Sequence, residues 1–306
     1  MPIRIAIIGY GKIARDQHLP SIRADDRFEL VAVSTRSGDP GVGVPCFADN
    51  ARMFEELRGR LDAVAICTPP IVRHVIARAA LEAGLHVMLE KPPAATLGEV
   101  EDLDRIAHAC GRTLFAAWHS QQAAAVPAAA ALLAGRKVAG LEISWREDVR
   151  KWHPGQEWIW APGGFGVFDP GINALSIATR ILPEPLFVRE ATLLVPANKQ
   201  SPIAAHLAFS EPGFTAEMDW RHATSEEWTI RIRTGDGAMV ELRDGGARLL
   251  VAGVEQAVES RGEYPGLYDR FATLITARES EVDREPLRIV ADAFLVGRRE
   301  TVQAFE

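Results

Sequence analysis

"IRIAIIGYGKIARDQHLP", residues 3–20, decides the fold. Residues 3–8 are an apolar run broken only by Arg4, the composition of a strand covered on both faces. Gly9, Gly11 and Ala14 come next as G-x-G-x-x-A, and a helical stretch then runs over residues 13–23. Strand, glycine turn and helix in this order are the context that a dinucleotide motif requires. The glycines permit a tight turn and let the backbone approach a pyrophosphate seated on the helix N-terminus. Gly9, Gly11, Lys12 and Ile13 are therefore candidate cofactor contacts. A plain strand-to-helix turn has the same outline, so the reading rests on what surrounds it.

Beyond the motif, strands and helices alternate. Residues 30–33, 63–67, 86–89 and 113–117 are expected strands, with helices expected over 53–61, 72–83 and 97–109. Gly84 stands where a helix C′ residue belongs, and Thr96 with Glu99 has the form of a capping box. Strict alternation implies right-handed crossovers and a doubly wound parallel sheet. Residues 1–120 are thus expected as a Rossmann domain of the α/β class.

Beyond an Ala-rich helix at 122–133 the texture changes. Strand-like runs at 140–145, 187–194, 203–209, 215–220, 227–234, 238–242 and 247–251 succeed one another, separated by turns such as "TGDG" and "RDGG". One helix, 173–181, interrupts them, and two helices, 266–277 and 287–303, close the chain. Residues 121–306 are expected as an α+β substrate-binding domain with a mainly antiparallel open sheet, the last helix packing back on the Rossmann domain.

Composition narrows the function. The 306 residues are 47% hydrophobic and 25% charged, as in an ordinary globular protein, and the net charge of −7 with no basic cluster argues against nucleic acid as a partner. Cys46, Cys67 and Cys110 are widely spaced, with no C-x-x-C pair, which fits a reducing compartment and neither a disulfide framework nor a zinc site. No metal is expected. No secretory leader is expected from the opening residues, which read as a strand, and no apolar stretch reaches the roughly 18 residues needed to span a membrane, so the expected location is the cytoplasm.

The second strand selects the dinucleotide. A site for NAD usually carries an acid there for the ribose 2′-hydroxyl. Residues 30–39 instead read "LVAVSTRSGD", placing Thr35, Arg36 and Ser37 at that point. An arginine among hydroxyls suits a 2′-phosphate, so NADP is favoured and NAD remains possible.

"HVMLEKPPAATL", residues 86–97, poses a separate question, because a buried strand ends in Glu90 and Lys91. Ligands of doubly wound sheets bind at the carboxyl ends of strands. A lysine desolvated there approaches the range useful for proton transfer; a solvated strand-end lysine reads the same. With "GYGKIARDQHLP", "AICTPPIVRH", "EKP" at 90–92 and the α+β second half, the chain resembles the Gfo/Idh/MocA oxidoreductase family over essentially its whole length. "WHPGQEWIW" (152–160) and "GVFDPGINALSIATRILP" (166–183) bring it nearest to NAD(P)-dependent members that oxidise D-galactose or L-arabinose at C1.

The resemblance implies that Lys91 is the catalytic lysine and that Thr68, Pro69 and Pro70 run past the cofactor, with Glu90 and His119 also beside it. Asp169 and Asn173, at i and i+4 in "FDPGIN", stand where the family commonly has Asp-x-x-x-His. Asparagine cannot carry the proton, so the acid/base work falls to Lys91 with Asp169, while Asn173 is left to hydrogen-bond a hydroxyl. Trp152, His153, Glu147 and, more weakly, Trp220 are expected to join Lys91 and His119 around the sugar, with Trp158 and Trp160 as packing. An indole offers a flat apolar face to the C–H side of a pyranose. The implied reaction is oxidation of an aldose to its lactone. Alternatives on the same fold are an inositol or other polyol dehydrogenase and a non-catalytic dinucleotide sensor. The family often associates through the open face of its second-domain sheet while some members are monomers, so a homo-oligomer through that sheet is one of two partner states the resemblance leaves open.

Overall fold

The first apolar run forms β1 (Ile3–Ile8), and its four last residues are fully buried, as a strand covered on both faces requires. The structure, a computed structural model, describes residues 1–306. β2 (Phe28–Ser34), β3 (Cys46–Phe47), β4 (Ala63–Ile66), β5 (His86–Glu90) and β6 (Leu114–Ala117) pair with β1 in one parallel sheet of order β3-β2-β1-β4-β5-β6. Between them run α1 (Leu19–Arg23), α2 (Asn50–Glu56), α3 (Pro70–Glu82) and α4 (Leu97–Cys110). The helix entering α1 contains a π turn over Ala14–His18, a geometry frequent at functional sites. Thr96 and Glu99 form the expected capping box, and Gly84, at φ +81°, ends α3.

The chain divides into two units, Met1–Trp118 with Tyr264–Asp283, and His119–Glu263 with Arg284–Glu306. Much of the first unit's core is built around Phe28, Phe115, Tyr268 and Phe271 on one side of its sheet. Phe271 is fully buried and stacks on Phe28 and Phe115 at ring separations of 6.4 and 6.2 Å. Burial of such a side chain stabilises by about 2–3 kcal/mol. Tyr268 and Phe271 lie on α8 (Glu263–Ala277), which from Tyr264 onward belongs to the Rossmann unit, whereas Arg284–Glu306 belongs to the second unit.

The second unit opens with α5 (Val126–Leu133) and adds α6 (Val149–Trp152), α7 (Phe168–Ile181) and α9 (Glu285–Val296) to a nine-stranded sheet. In chain order its strands are β7 (Val138–Arg146), β8 (Val188–Pro196), β9 (Ala204–Phe209), β10 (Phe214–Asp219), β11 (Glu227–Thr234), β12 (Met239–Arg243), β13 (Arg248–Val251), β14 (Val254–Gln256) and β15 (Arg298–Val302). The order is β14-β13-β12-β11-β7-β10-β9-β8-β15. Pairing is antiparallel except between β10 and β7 and between β15 and β8. The last helix therefore stops at Val296, short of the expected 303, because β15 pairs with the sheet edge. Gly297 permits the break, since a Cβ there would lie 2.3 Å from the Ala293 carbonyl oxygen.

Period-two alternation sorts this sheet's faces. Leu141, Ile143 and Trp145 of β7 are buried, whereas Glu142 is exposed and Arg146 half-buried. On the outward side Arg146 pairs with Glu217 and Glu227, and Glu241 with Arg231 and Arg243. The open face is accordingly a charged ladder.

Candidate functional site

In the first unit the winding reverses between β1 and β4, and the carboxyl ends of these strands open the crevice where such sheets bind ligands. Gly9 turns there at φ +87°, where a Cβ would meet the Thr68 nitrogen at 2.9 Å. Nothing lies within 4 Å of a Cβ built on Gly11, so the space above that residue is open. Thr68 Oγ1 is buried without a hydrogen-bond partner. A close-approach glycine, an open glycine and an unsatisfied buried hydroxyl on facing loops fit a dinucleotide. Lys12 pairs with Asp16 at 2.7 Å, and Ile13 is partly exposed at the head of the helix.

At the end of β2, Ser34 donates to Asn50 at 2.6 Å and the Thr35 hydroxyl accepts from the Ser37 N–H at 3.3 Å. Arg36 is exposed and enters no ion pair. Asp39, the nearest acid along the chain, accepts from the Gly41 N–H at 2.8 Å. Its carboxylate is engaged in its own turn, which leaves the strand end to Arg36.

Lys91 follows β5 on the same sheet edge, and Glu90 before it is 4% exposed. Expected beside the cofactor, Glu90 turns into the protein. Its Oε1 accepts from His18 Nε2 at 3.0 Å and from the Tyr264 hydroxyl at 2.6 Å, and its Oε2 accepts from the Lys91 N–H at 2.8 Å. His18 Nδ1 meets the Tyr268 hydroxyl at 2.8 Å. Burial opposes charge on His18, but Cys67, Tyr268 and the bond to Glu90 outweigh it and raise its pKa well above the ordinary imidazole value. Burial pushes the Tyr268 phenol up to about 12, so it stays protonated. Arg73, itself buried on α3, donates to the carbonyls of Thr68, Glu90 and Pro92. One guanidinium thus ties the Thr68-Pro69-Pro70 loop to both sides of Lys91.

In the second unit α7 begins at Phe168, which places Asp169 and Asn173 on one helix face, as the spacing implied. The entry to α7 is tightly held. Gly166, at φ +54°, accepts from the Asp169 N–H at 2.8 Å, and a Cβ there would lie 2.3 Å from the Pro202 carbonyl oxygen. Asp169 is 5% exposed, and its Oδ2 lies 3.3 Å from His153 Nε2. The histidine absent from position 173 is therefore matched by one arriving from another loop. His153 Nδ1 faces Gln156 Oε1 at 3.4 Å, and its ring rests against Trp220 with centroids 5.3 Å apart. Asn173 is half-buried.

Glu147 is buried and holds indoles: Oε1 accepts from Trp220 Nε1 at 3.2 Å and Oε2 from Trp228 Nε1 at 2.9 Å. Trp220 is wholly buried, so it supports His153 from behind rather than presenting a face. Trp160 packs edge-on to Trp220 at 5.4 Å, as expected of a packing residue. Trp158 is half-buried and donates to Gln156 at 3.1 Å. Trp152 is 36% exposed and donates to Glu226 at 2.8 Å, and its ring carries Lys151 Nζ at 4.9 Å and meets Trp228 with centroids 5.7 Å apart. His119 Nδ1 lies 2.5 Å from Glu263 Oε2. Sequence reasoning missed Gln156, Trp228, Glu263, Arg73, Tyr264 and Tyr268. His18 lay inside the "GYGKIARDQHLP" stretch without a role.

Residues 3–118 match the "Oxidoreductase family, NAD-binding Rossmann fold". Galactose 1-dehydrogenase of Pseudomonas fluorescens is 47% identical over 99% of both chains. The chain belongs to the Gfo/Idh/MocA oxidoreductase family. The crystal structure of D-galactose-1-dehydrogenase from Rhizobium etli superposes with a TM-score of 0.93 at 48% identity, covering 100% of this chain and 98% of that one. A mutant 3-ketoreductase from Actinomadura kijaniata, in complex with TDP-benzene and NADP, shares the fold at a TM-score of 0.85 and 20% identity, over 99% and 100% of the two chains. No helix is long and apolar enough to cross a membrane, and no cluster of three His, Cys, Asp or Glu side chains forms a metal site.

Proposed function

We propose that the protein is an NADP-preferring aldose 1-dehydrogenase that oxidises the C1 hydroxyl of D-galactose or L-arabinose to the lactone in the cytoplasm. The observation that carries this reading is Lys91 at a strand end, held through its flanking carbonyls by Arg73 beside the Thr68 loop. The nicotinamide supplies the hydride acceptor when bound. Gly9, Gly11 and Thr68 bind the dinucleotide, and Arg36 takes the 2′-phosphate. Lys91 takes or relays the C1 hydroxyl proton, and Asp169, steadied by His153, orients Lys91 or tunes its charge. Asn173, Trp152 and His119 hold the sugar so that C1 stays close to its acceptor.

Turnover with D-galactose, L-arabinose, D-glucose and myo-inositol, followed through the absorbance of the reduced cofactor, tests the reading in the wild type and in Lys91→Met. The expected result is turnover of galactose or arabinose that falls roughly 10²–10⁴-fold in the variant while NADP binding persists. Turnover of inositol alone would move the reaction off C1. Binding of NADP without turnover of any substrate would leave a dinucleotide sensor as the better account.

A further inference from the structure

Lys91 itself lies on a loop, and a loop fixes a side chain only as well as its backbone is fixed. The structure shows what fixes it. Glu90 is the adjoining residue, and three donors to its buried carboxylate come from different parts of the chain. His18 comes from the π turn after the glycine motif, Tyr264 from α8, and the Lys91 N–H from the loop itself. His18 is in turn braced by the Tyr268 hydroxyl and packs edge-on against Tyr264 and Tyr268, with ring centroids 5.0 and 5.8 Å away. A buried carboxylate is costly unless paired and hydrogen-bonded, and the pairing here converges on the residue next to the proposed proton carrier.

We propose that His18 and Tyr264 are positioning residues that act through Glu90 to aim Lys91, so that α8 sets catalytic geometry from some 170 residues away along the chain. This rests on the reading of Lys91 given above. A misplacement of about 1 Å at a reacting group costs on the order of 10²-fold in rate, whereas cofactor affinity depends on the Gly9, Thr68 and Arg36 contacts and does not require the aim of Lys91.

The test compares Tyr264→Phe, His18→Leu and His18→Gln with the wild type and Lys91→Met. The readouts are kcat with galactose, the dissociation constant for NADP and the thermal midpoint. Phenylalanine removes only one oxygen, and glutamine returns a donor near the position of Nε2, which keeps the comparison informative if His18→Leu fails to fold. The expected result is a kcat lower by about tenfold or more in Tyr264→Phe, NADP affinity within about twofold of wild type, and a smaller loss in His18→Gln than in His18→Leu. Wild-type kcat in folded Tyr264→Phe, with Lys91→Met inactive, overturns the positioning role alone. Parallel loss of kcat and NADP affinity in Tyr264→Phe overturns it too, because a purely structural role produces that pattern. Full activity in Lys91→Met overturns the underlying reading instead.

Discussion

Arg36 provides the sharpest test of how the strand end chooses its dinucleotide. Its guanidinium is exposed and unpaired by any carboxylate, while Asp39 is engaged with the Gly41 N–H. A 2′-phosphate carries about −1.5 to −2 charge at neutral pH. A unit pair about 4 Å apart gains roughly 1 kcal/mol in bulk water and roughly 4 kcal/mol near a protein surface. Exposure keeps the site toward the lower part of that range, and a hydrogen bond to a charged group contributes about 1.5–3 kcal/mol. Removing Arg36 should therefore lower kcat/KM for NADP by roughly 10- to 150-fold. NAD lacks the phosphate, so its kcat/KM should change by less than about threefold. Initial rates of Arg36→Ala with both cofactors at saturating galactose measure this, and Arg36→Glu should go further by repelling the phosphate. Equal losses for NADP and NAD, or no loss for either, would refute the assignment.

Three further outcomes rest on individual contacts. Gly9→Ala forces a side chain into the left-handed region, at about 1–2 kcal/mol, and sets its Cβ 2.9 Å from the Thr68 nitrogen; titration calorimetry should show NADP affinity at least about tenfold weaker in a protein of native circular dichroism. Asp169→Asn keeps a partner for His153 but removes the charge, and steady-state kinetics should show kcat lower by roughly 10²-fold with a smaller change in KM. His86 is held neutral, its pKa lowered to about 4 by burial and by Arg112, with Nδ1 accepting from the Thr113 N–H at 3.0 Å. The unfolded chain binds that proton below about 6.5, so His86 stabilises the fold above about pH 6.5, the benefit falls as pH drops to about 4, and it is flat below that. The full shift corresponds to about 3 kcal/mol, and partial exposure reduces this to about 2 kcal/mol. Urea unfolding of wild type and His86→Gln between about pH 7 and pH 4.5 should show the wild type losing that much more.

The Rossmann half was legible because its signals are local. The buried run at 3–8, the glycines at 9 and 11, the Thr96–Glu99 cap and Gly84 each act within one turn or strand, and each appears where its neighbours require it. Strands of the second half were legible for the same reason, since alternation such as that of β7 reports one buried face. The C-terminus was misread at the one place where pairing decides: "RRETVQAF" suits a helix, yet residues 298–302 add to the sheet edge. Among the candidate site residues, Lys91 was proposed from its strand end, Asp169 from its i, i+4 spacing with Asn173, and His153 from the tryptophan-rich stretch around it. The partners that hold them were not legible, because Tyr264 reaches Glu90 across 174 positions and Trp228 reaches Glu147 across 81. Glu147 and Trp220 were read as sugar contacts because acids and indoles suit hydroxyls and pyranose faces. Burial directs both inward instead, each satisfying the other.

A hydride that leaves C1 of an aldose, while Lys91 handles the hydroxyl proton, can be followed by its isotope. D-galactose deuterated at C1, incubated with NADP and the wild-type protein, tests this most directly, with both products read by mass spectrometry. The expected result is deuterium in the reduced nicotinamide, a lactone that has lost it, and a primary isotope effect on turnover. Reduced cofactor without the label, with deuterium retained at C1 of the sugar product, would place the oxidised carbon elsewhere and rule out oxidation at C1.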